Sequence, residues 1–267
     1  MLFSLLIAHY NNYDLFLDCY DSIVKQSYSN FEVIILDDCS TDGSFEKLTE
    51  FLKDDARFKI YQNDSNQGVG FTKKRLAELA NGEVCGFLDP DDALSKNAIE
   101  NSVKNHTEKN VVTYSKFLLC DANLNHLKLF PQSRAIKNGD EKFFNIFLEA
   151  NHFFTFKKSA YNKTSGINAE LTSAVDQDLY LKLYEIGNFT FINEALYYYR
   201  LHEKGVSQEK SKKGKLNENW QKVILDTAKR RNIERLYGKD IQDIDNLPEF
   251  IFKNQNTFLK KIQRKLQ

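Results

Sequence analysis

The stretch VCGFLDPDD, residues 84–92, decides the fold and carries the most informative chemistry of the chain. Its first five residues predict a short strand that is buried on both faces. Three carboxylates follow within four residues: Asp89, Asp91 and Asp92. Two such charges about 4 Å apart repel by roughly 4 kcal/mol at an effective dielectric constant of about 20. A hard divalent cation, Mg²⁺ or Mn²⁺, is the usual compensator, and it typically also binds substrate phosphates.

The same carboxylates also fit a plain turn. Asp-Pro pairs initiate turns, and Asp92 could cap a helix that begins at Ala93. Spacing alone leaves both readings open, and the position directly after a buried strand favours the metal site.

Two further strands in the first half end in polar clusters. Residues 3–8 and 31–36 are apolar runs, followed by His9-Tyr10-Asn11 and by Asp37-Asp38. Helical spacing of apolar residues occurs at 15–24, 44–52 and 71–80. Strands that alternate with helices predict βαβ units and a mostly parallel sheet. Ligands bind outside the carboxyl ends of such strands, where all three polar clusters fall.

Beyond residue 110 the pattern is mixed, and we expect one α/β domain with a helical tail. Short strands are predicted at 111–114, 117–120, 127–130 and 153–156, and one or two strands at 189–199. Helices are predicted at 141–150, at 178–186 and, in a Lys-rich stretch, from residue 208 onward.

Composition excludes several classes of protein. The chain has 267 residues, 37 Lys+Arg, 37 Asp+Glu and a formal net charge of zero, which argues against a globally basic nucleic-acid binder. No apolar run reaches the roughly 18 residues that span a bilayer, and the apolar start lacks the basic region of a signal peptide. The four cysteines form no CxxC pair, so we expect reduced, packed thiols. These features predict a cytoplasmic protein.

Six motifs, in order, resemble glycosyltransferase family 2, inverting enzymes of the GT-A fold. They are Ala8-His9-Tyr10-Asn11, Asp37-Asp38-x-Ser40-x-Asp42, Asn66-x-Gly68, Leu88-Asp89-Pro90-Asp91-Asp92, Val175-Asp176-Gln177-Asp178-Leu179 and Tyr199-Arg200-Leu201-His202. The resemblance covers residues 3 to about 207. It implies a Rossmann-like central sheet flanked by helices in a GT-A domain at 1–207, with a nucleotide-sugar-binding half at 1–114 and an acceptor-binding half at 115–207. A basic helical extension follows at 208–267.

The resemblance implies a donor site in the first half of the chain. Asp38 would accept an N–H of the base, typically uracil, while Asp37 supports the pocket. The other implied donor-site residues are Ala8, Tyr10, Asn11, Asn66, Gly68, Lys73, Asp89 and Asp91. The implied ligands of a Mn²⁺ or Mg²⁺ ion that bridges the phosphates are Asp91, Asp89, His202 and Asp92, the last being alternatively a helix cap.

The resemblance also implies a general base, Asp176, which takes the proton of the acceptor hydroxyl as that hydroxyl attacks the anomeric carbon. A single displacement then inverts the anomeric configuration. Asp178 competes for this role, and one of the two could instead cap the following helix. Val175 replaces the Glu that is common beside the base. Lys73 stands where the family often has Arg, and the segment 73–75 leaves open which of its three cations faces the diphosphate.

Together these motifs imply a metal-dependent hexosyltransferase that moves a sugar, expected to be UDP-linked, to a hydroxyl of a surface polysaccharide or lipid-linked glycan. Two alternatives remain open: a nucleotidyltransferase-type α/β enzyme, and a receiver-like module or inactive scaffold. A nucleotidyltransferase is expected to carry a Gly-rich basic loop where this chain has Tyr10-Asn11-Asn12. Receiver domains are typically near half this length and have no reason to carry the 176–202 motifs.

The tail lies outside the resemblance. Residues 250–267 contain five Lys/Arg and no acid. An apolar stripe could form from Phe252, Phe258, Leu259, Ile262 and Leu266. The pattern predicts either a basic amphipathic helix on the inner face of an anionic membrane or a terminal helix docked on the domain.

Overall fold

The computed structural model describes residues 1–203 and 213–259. Its centre is a nine-stranded sheet of order β3-β2-β1-β4-β8-β6-β9-β5, with β7 paired to β6. The strands of this sheet are β1 (Phe3–His9), β2 (Phe31–Asp37), β3 (Phe58–Gln62), β4 (Val84–Phe87), β5 (Ala93–Leu94), β6 (Asn110–Cys120), β7 (His126–Leu129), β8 (Thr155–Lys157) and β9 (Asn188–Arg200). The flanking helices are α1 (Tyr13–Val24), α2 (Ser44–Leu52), α3 (Val69–Leu79), α4 (Ala98–Asn105), α5 (Lys158–Tyr161) and α6 (Val175–Tyr184). The tail contains α7 (Lys213–Arg230), a hairpin of β10 (Arg235–Leu236) and β11 (Lys239–Asp240), a 3₁₀ turn (Ile241–Asp243) and α8 (Leu247–Gln255).

The first half forms a parallel sheet covered on both faces, as predicted. β1 lies between β2 and β4, and β3 pairs with β2 in the same direction. Side chains of β1 alternate between two cores, since Leu6 packs with residues of α3 and α6 whereas Leu5 and Ile7 pack with residues of α1, α2 and α4. Because both faces of β1 and β2 are buried, these two strands are mainly apolar in the sequence.

The second half corrects the prediction of a mostly parallel sheet. Within the nine-stranded sheet, over the described residues, four strand pairings are parallel and four are antiparallel, so this sheet is mixed. β6 is one strand of 11 residues, where two short strands were predicted, and β9 has 13 residues. β9 pairs antiparallel with β5, which places Tyr198 opposite Ala93 directly after the acidic loop.

The helix predicted at 141–150 is wrong, because this stretch contains turns. Asn145 and Leu148 have φ angles of 51° and 53°, which a right-handed helix excludes. The aromatic side chains pack in different places: Phe144 belongs to the core under the tail, whereas the ring of Phe143 lies 4.8 Å from that of Tyr184. The helical spacing therefore reflects two separate packing surfaces.

The tail helices dock on the domain over the described residues. Ile224 and Ala228 of α7 pack in one core with Phe144 and with Ile251 of α8. Three residues of the predicted stripe are exposed, by 44%, 76% and 73% respectively: Phe252, Phe258 and Leu259. The other two stripe residues and the predicted 207/208 boundary lie outside the described residues. Within the described ranges, no helix is both long and apolar enough to cross a membrane.

The four cysteines are free thiols, as predicted. Cys19, Cys85 and Cys120 are buried, and burial raises the pKa of each thiol. They therefore pack as small apolar side chains.

Candidate active site

The carboxyl ends of β1, β2 and β4 meet at one edge of the sheet, so the three polar clusters lie side by side. The N–H of Asp38 donates to the carbonyl of His9 at 2.8 Å, and the N–H of Leu88 donates to β1 at 3.0 Å. Ala8 packs against the core at the end of β1, whereas Tyr10 is 45% exposed. This edge is where a parallel sheet of this kind binds ligands.

Asp37 is fully buried and organises the loop between β2 and α2. Nδ1 of His9 lies 2.9 Å from Asp37 Oδ2, and Ser40 donates to the carboxylate through its N–H at 2.8 Å and its hydroxyl at 2.5 Å. Burial alone would raise the pKa of Asp37, but these hydrogen bonds outweigh it and lower the pKa. Asn11 ties the β1 loop to the same segment, because its Oδ1 accepts the N–H of Thr41 at 2.8 Å.

Asp38 orders the loop that precedes α3. Its carboxylate accepts the N–H groups of Gln67 and Gly68 at 2.9 and 2.8 Å and Nδ2 of Asn63 at 2.7 Å. Gly68 has a φ of 85°, a left-handed conformation that favours glycine. Asp38 is 5% exposed, while Asn66 in the same loop is exposed. The structure therefore gives Asp38 three protein donors and little free surface.

Asp92 anchors the acidic loop, and the structure corrects one of its two predicted roles, the helix cap. Its side chain accepts the hydroxyl of Tyr197 at 2.6 Å and the N–H of Arg200 at 2.8 Å, and the residue is 2% exposed. Burial, and then the charges of Asp91 and Asp89, raise the pKa of Asp92 well above its ordinary value. A strand, β5, follows it, so Asp92 caps no helix. Each of its carboxylate oxygens accepts one hydrogen bond inside the protein, so Asp92 is less accessible than Asp91.

Asp91 and His202 form the part of the loop best suited to a cation. Nε2 of His202 lies 2.8 Å from Asp91 Oδ2, and the side chains are 11% and 24% exposed. Burial and the charge of Asp89 raise the pKa of Asp91, outweighing the opposite effect of His202. A cation here would relieve that repulsion, and carboxylate and imidazole are both metal donors. Among the described residues, no group of three or more His, Cys, Asp or Glu side chains could hold a metal ion by itself. The pair fits a cation whose remaining ligands come from a substrate or water.

Lys73 links two carboxylates at the candidate site. Its Nζ lies 2.9 Å from Asp176 Oδ1, 3.5 Å from Asp89 Oδ1 and 5.3 Å from the centre of the Phe87 ring, and its side chain is 7% exposed. Burial alone would lower the pKa of Lys73, but the two carboxylates outweigh it and raise the pKa. Its neighbours in the sequence point elsewhere, since Lys74 lines a separate cleft and Arg75 donates to Asn63 Oδ1 at 2.6 Å.

Asp176 and Asp178 lie in different environments, although both belong to the first turn of α6. Asp176 is at the candidate site, with its side chain 42% exposed. Burial would raise the pKa of Asp176, but the charge of Lys73 outweighs it and lowers the pKa, which keeps the carboxylate ionised. Asp178 is 3% exposed and accepts Nζ of Lys182 and the N–H of Asn168, both at 2.8 Å. Only Asp176 of the two competing residues is therefore open to an acceptor.

Sequence reasoning missed the aromatic residues around these charges. Lys73, Asp89 and Asp176 share a hollow of about 10 Å³, enough for one water molecule, with five further residues. These are Phe87, His152, Phe154, Tyr180 and Tyr197. The rings of Phe154 and Tyr180 stack with centroids 3.7 Å apart, and those of His152 and Tyr197 with centroids 4.3 Å apart. No spacing rule could have assigned His152, because it precedes β8 as an isolated histidine.

Comparisons with known proteins agree with this architecture. The model of glycosyl transferase family 2 matches residues 4–165. A hyaluronan synthase of Pasteurella multocida is 28% identical, over 98% of this chain and 26% of that protein. A chondroitin synthase of Escherichia coli is 30% identical, over 94% of this chain and 36% of that protein. The chain thus spans about a quarter to a third of the length of these relatives.

Two solved structures share the fold. The S. aureus TarS 1-349 structure in complex with UDP-GlcNAc has a TM-score of 0.67 and 21% identity, covering 97% of this chain and 72% of that one. Mannosyltransferase PcManGT from Pyrobaculum calidifontis, in complex with GDP-Man and Mn²⁺, has a TM-score of 0.61 and 14% identity, covering 94% of this chain and 67% of that one.

The GT-A glycosyltransferase fold has this architecture: a mixed sheet, an acidic loop after the fourth strand, and a carboxylate that faces the loop. The family model covers more than half of the residues, and the chain belongs to glycosyltransferase family 2. The predicted family and the GT-A fold are confirmed, with a sheet that is mixed rather than mostly parallel. The nucleotidyltransferase and receiver-like alternatives do not account for this membership.

Proposed function

We propose that this chain is a metal-dependent, inverting glycosyltransferase that moves a sugar from a UDP-sugar to a hydroxyl acceptor. The observation that carries the proposal is the hollow in which Asp176 faces Asp89 across Lys73, beside the Asp91–His202 pair. The accessible carboxylate of Asp176 thus lies next to the Asp91–His202 pair, which suits a cation and a diphosphate.

Asp176 is the proposed general base. It is ionised, partly exposed and held in place by Lys73 at 2.9 Å, so it is ready to accept the proton of an acceptor hydroxyl. The hydroxyl attacks the anomeric carbon as the bond to the diphosphate breaks, and one displacement inverts the configuration. Lys73 also brings positive charge close to Asp89, on the side of the acidic loop.

Asp91 and His202 are the proposed protein ligands of Mn²⁺ or Mg²⁺, with Asp89 close by. When bound, the cation would neutralise the charge that develops on the departing nucleoside diphosphate. The PcManGT complex with Mn²⁺ supports this assignment by analogy of fold. Asp92 acts from inside, since its hydrogen bonds to Tyr197 and Arg200 fix the loop that carries Asp91.

The nucleotide is proposed to lie along the ends of β1 and β2, and the TarS complex with UDP-GlcNAc supports a UDP-sugar as donor. Tyr10 and Asn66 offer exposed side chains there, and Asp38 and Gly68 shape the loop between them. The remaining donor-site residues, Ala8, Asn11 and Asp37, act as supports. The named activities of the two relatives favour surface polysaccharide synthesis over other settings.

The proposed organisation keeps a donor half at 1–114, an acceptor half at 115–207 and a basic extension at 208–267.

We further propose that the enzyme works in the cytoplasm and that its tail contacts the inner face of the membrane. The exposed Phe252, Phe258 and Leu259 support such a contact. Co-sedimentation with vesicles that contain anionic lipid tests it, and equal recovery with neutral vesicles would refute an electrostatic contact.

Product analysis tests the proposed reaction. The purified chain is incubated with UDP-Glc, UDP-GlcNAc, UDP-GalNAc or UDP-GlcA, with Mn²⁺ or with EDTA, and the released nucleotide and phosphate are identified. We expect nucleoside diphosphate only when metal is present. Release of a sugar 1-phosphate, which leaves when the uridylyl group is transferred, would indicate a nucleotidyltransferase instead. Asp91→Asn should lose the metal response, whereas the matched surface variant Asp21→Asn, which changes a side chain 61% exposed in a pair with Lys25, should keep it.

A further inference from the structure

His152 is held rigidly inside the candidate site. Its ring stacks on Tyr197 with centroids 4.3 Å apart and an interplanar angle of 15°, and it meets the ring of Phe117 edge-on at 5.0 Å. Its backbone is fixed as well, because its carbonyl accepts the N–H of Ser115 at 3.1 Å and the Ser115 hydroxyl at 3.2 Å. The plane of the imidazole is therefore fixed beside the hollow that it lines.

The ring nitrogens of His152 have no hydrogen-bond partner among the described residues, although the ring lines the same hollow as Lys73, Asp89 and Asp176. The three charged groups pair with one another. Burial lowers the pKa of His152 against the opposing charges of Asp89 and Asp176, so the ring is neutral at neutral pH. A neutral imidazole offers one N–H donor and one acceptor nitrogen.

We infer that His152 binds a sugar hydroxyl that enters this hollow and thereby positions the sugar between Asp89 and Asp176. The inference rests on the proposed function and adds a residue to it. The hollow has room for one water-sized group, which matches a single hydroxyl. A hydroxyl satisfies the imidazole without adding charge to a hollow that already holds two carboxylates and one ammonium group.

The test separates hydrogen bonding from ring shape. His152→Phe keeps a flat ring for stacking and removes the nitrogens, whereas His152→Gln keeps a donor and an acceptor. His126→Phe is the matched control, because His126 lies 4.8 Å from the ring of Tyr198, the residue next to Tyr197 on β9. Successive side chains of a strand point to opposite faces, so this control makes the same chemical change away from the hollow.

The measurement is kcat/KM with Mn²⁺ and the sugar nucleotide that the unaltered chain consumes fastest among UDP-Glc, UDP-GlcNAc, UDP-GalNAc and UDP-GlcA. We expect His152→Phe to lose about tenfold, the size of one hydrogen bond. His152→Gln should stay within about threefold of the unaltered chain, and His126→Phe should be unchanged. Full activity of His152→Phe, or equal losses in the Phe and Gln variants, overturns the inference.

Deoxy substrates identify the hydroxyl and keep the inference testable if His152→Phe does not fold. Suppose that removing one hydroxyl from the donor or the acceptor lowers kcat/KM about tenfold with the unaltered chain. With His152→Ala, the same deoxy substrate should lower kcat/KM by less than about twofold relative to the complete substrate. The arm that shows this coupling tells whether the hydroxyl belongs to the donor or the acceptor. Equal losses in both chains overturn the inference. An unaltered chain that consumes no donor contradicts the proposed function itself, whereas normal activity without coupling contradicts only the role of His152.

Discussion

Two aspartates on one turn of α6 should respond in opposite ways to the same substitution. Asp178→Asn removes the carboxylate that faces Lys182. The Lys182 side chain is 8% exposed, and its ammonium group would keep only the carbonyl of Gly166 at 2.7 Å. Breaking a buried ion pair costs about 3–5 kcal/mol, and the retained amide places the expected loss near about 3 kcal/mol. Asp176→Asn removes a carboxylate 42% exposed, and Lys73 keeps Asp89 at 3.5 Å, so we expect a change within about 1 kcal/mol.

The catalytic effects should be reversed. Loss of a general base lowers turnover by about 10²- to 10⁴-fold, so Asp176→Asn should be folded and nearly inactive. Asp178→Asn should keep most of its turnover at temperatures where it is folded. Its unfolding midpoint should fall by about 6–12 °C, as expected for about 3 kcal/mol in a chain of this size. Thermal unfolding and nucleoside diphosphate release, measured on the same samples, check both effects. Normal turnover in Asp176→Asn, or inactivity of both folded variants, would refute the assignment.

Three further predictions concern acid stability, the loop anchor and the metal. Burial would raise the pKa of Glu32, but the hydrogen bonds that it accepts from Lys59 and other donors outweigh burial and lower the pKa from 4.5 to about 2. Ionised Glu32 therefore stabilises the fold above pH 4.5, and this stabilisation is lost as the pH falls to about 2. Glu32→Gln should therefore lower the free energy of unfolding by up to about 3 kcal/mol at pH 7, a difference that should vanish in urea titrations near pH 2. Tyr197→Phe leaves the buried Asp92 carboxylate with one fewer donor and should cost about 1–3 kcal/mol in the same titration. His202→Ala should raise the Mn²⁺ concentration for half-maximal donor turnover by about tenfold or more, and an unchanged metal titration would exclude His202 as a ligand.

Local patterns were sufficient to predict the donor half of the fold. The helix predicted at 44–52 begins at Ser44 and ends at Leu52, and the three apolar runs form adjacent parallel strands. Alternating helices and buried strands leave few ways to connect them, and the polar clusters follow the strands directly. The convergence of these clusters at one edge was therefore available from the sequence.

The roles that depend on distant pairing were not available in this way. Asp92 is held by Tyr197 and Arg200, which lie 105 and 108 residues along the chain, and the β5–β9 pairing that unites them leaves no local pattern. Likewise, Asp178 is excluded from the site only because Lys182 and Asn168 hold it inside the core. His152 belongs to the site through the stacking of its ring on Tyr197, a contact that periodicity does not encode.

The most direct test of the central claim is ¹H NMR of one reaction from start to finish. The chain is mixed with Mn²⁺, its preferred UDP-sugar and oligosaccharide acceptors drawn from hyaluronan and chondroitin, and the anomeric signals of donor and product are followed. We predict that UDP accumulates in step with a new glycosidic bond whose anomeric configuration is opposite to that of the donor. A product with retained configuration, or an unconsumed donor with folded, metal-loaded protein, would contradict the account.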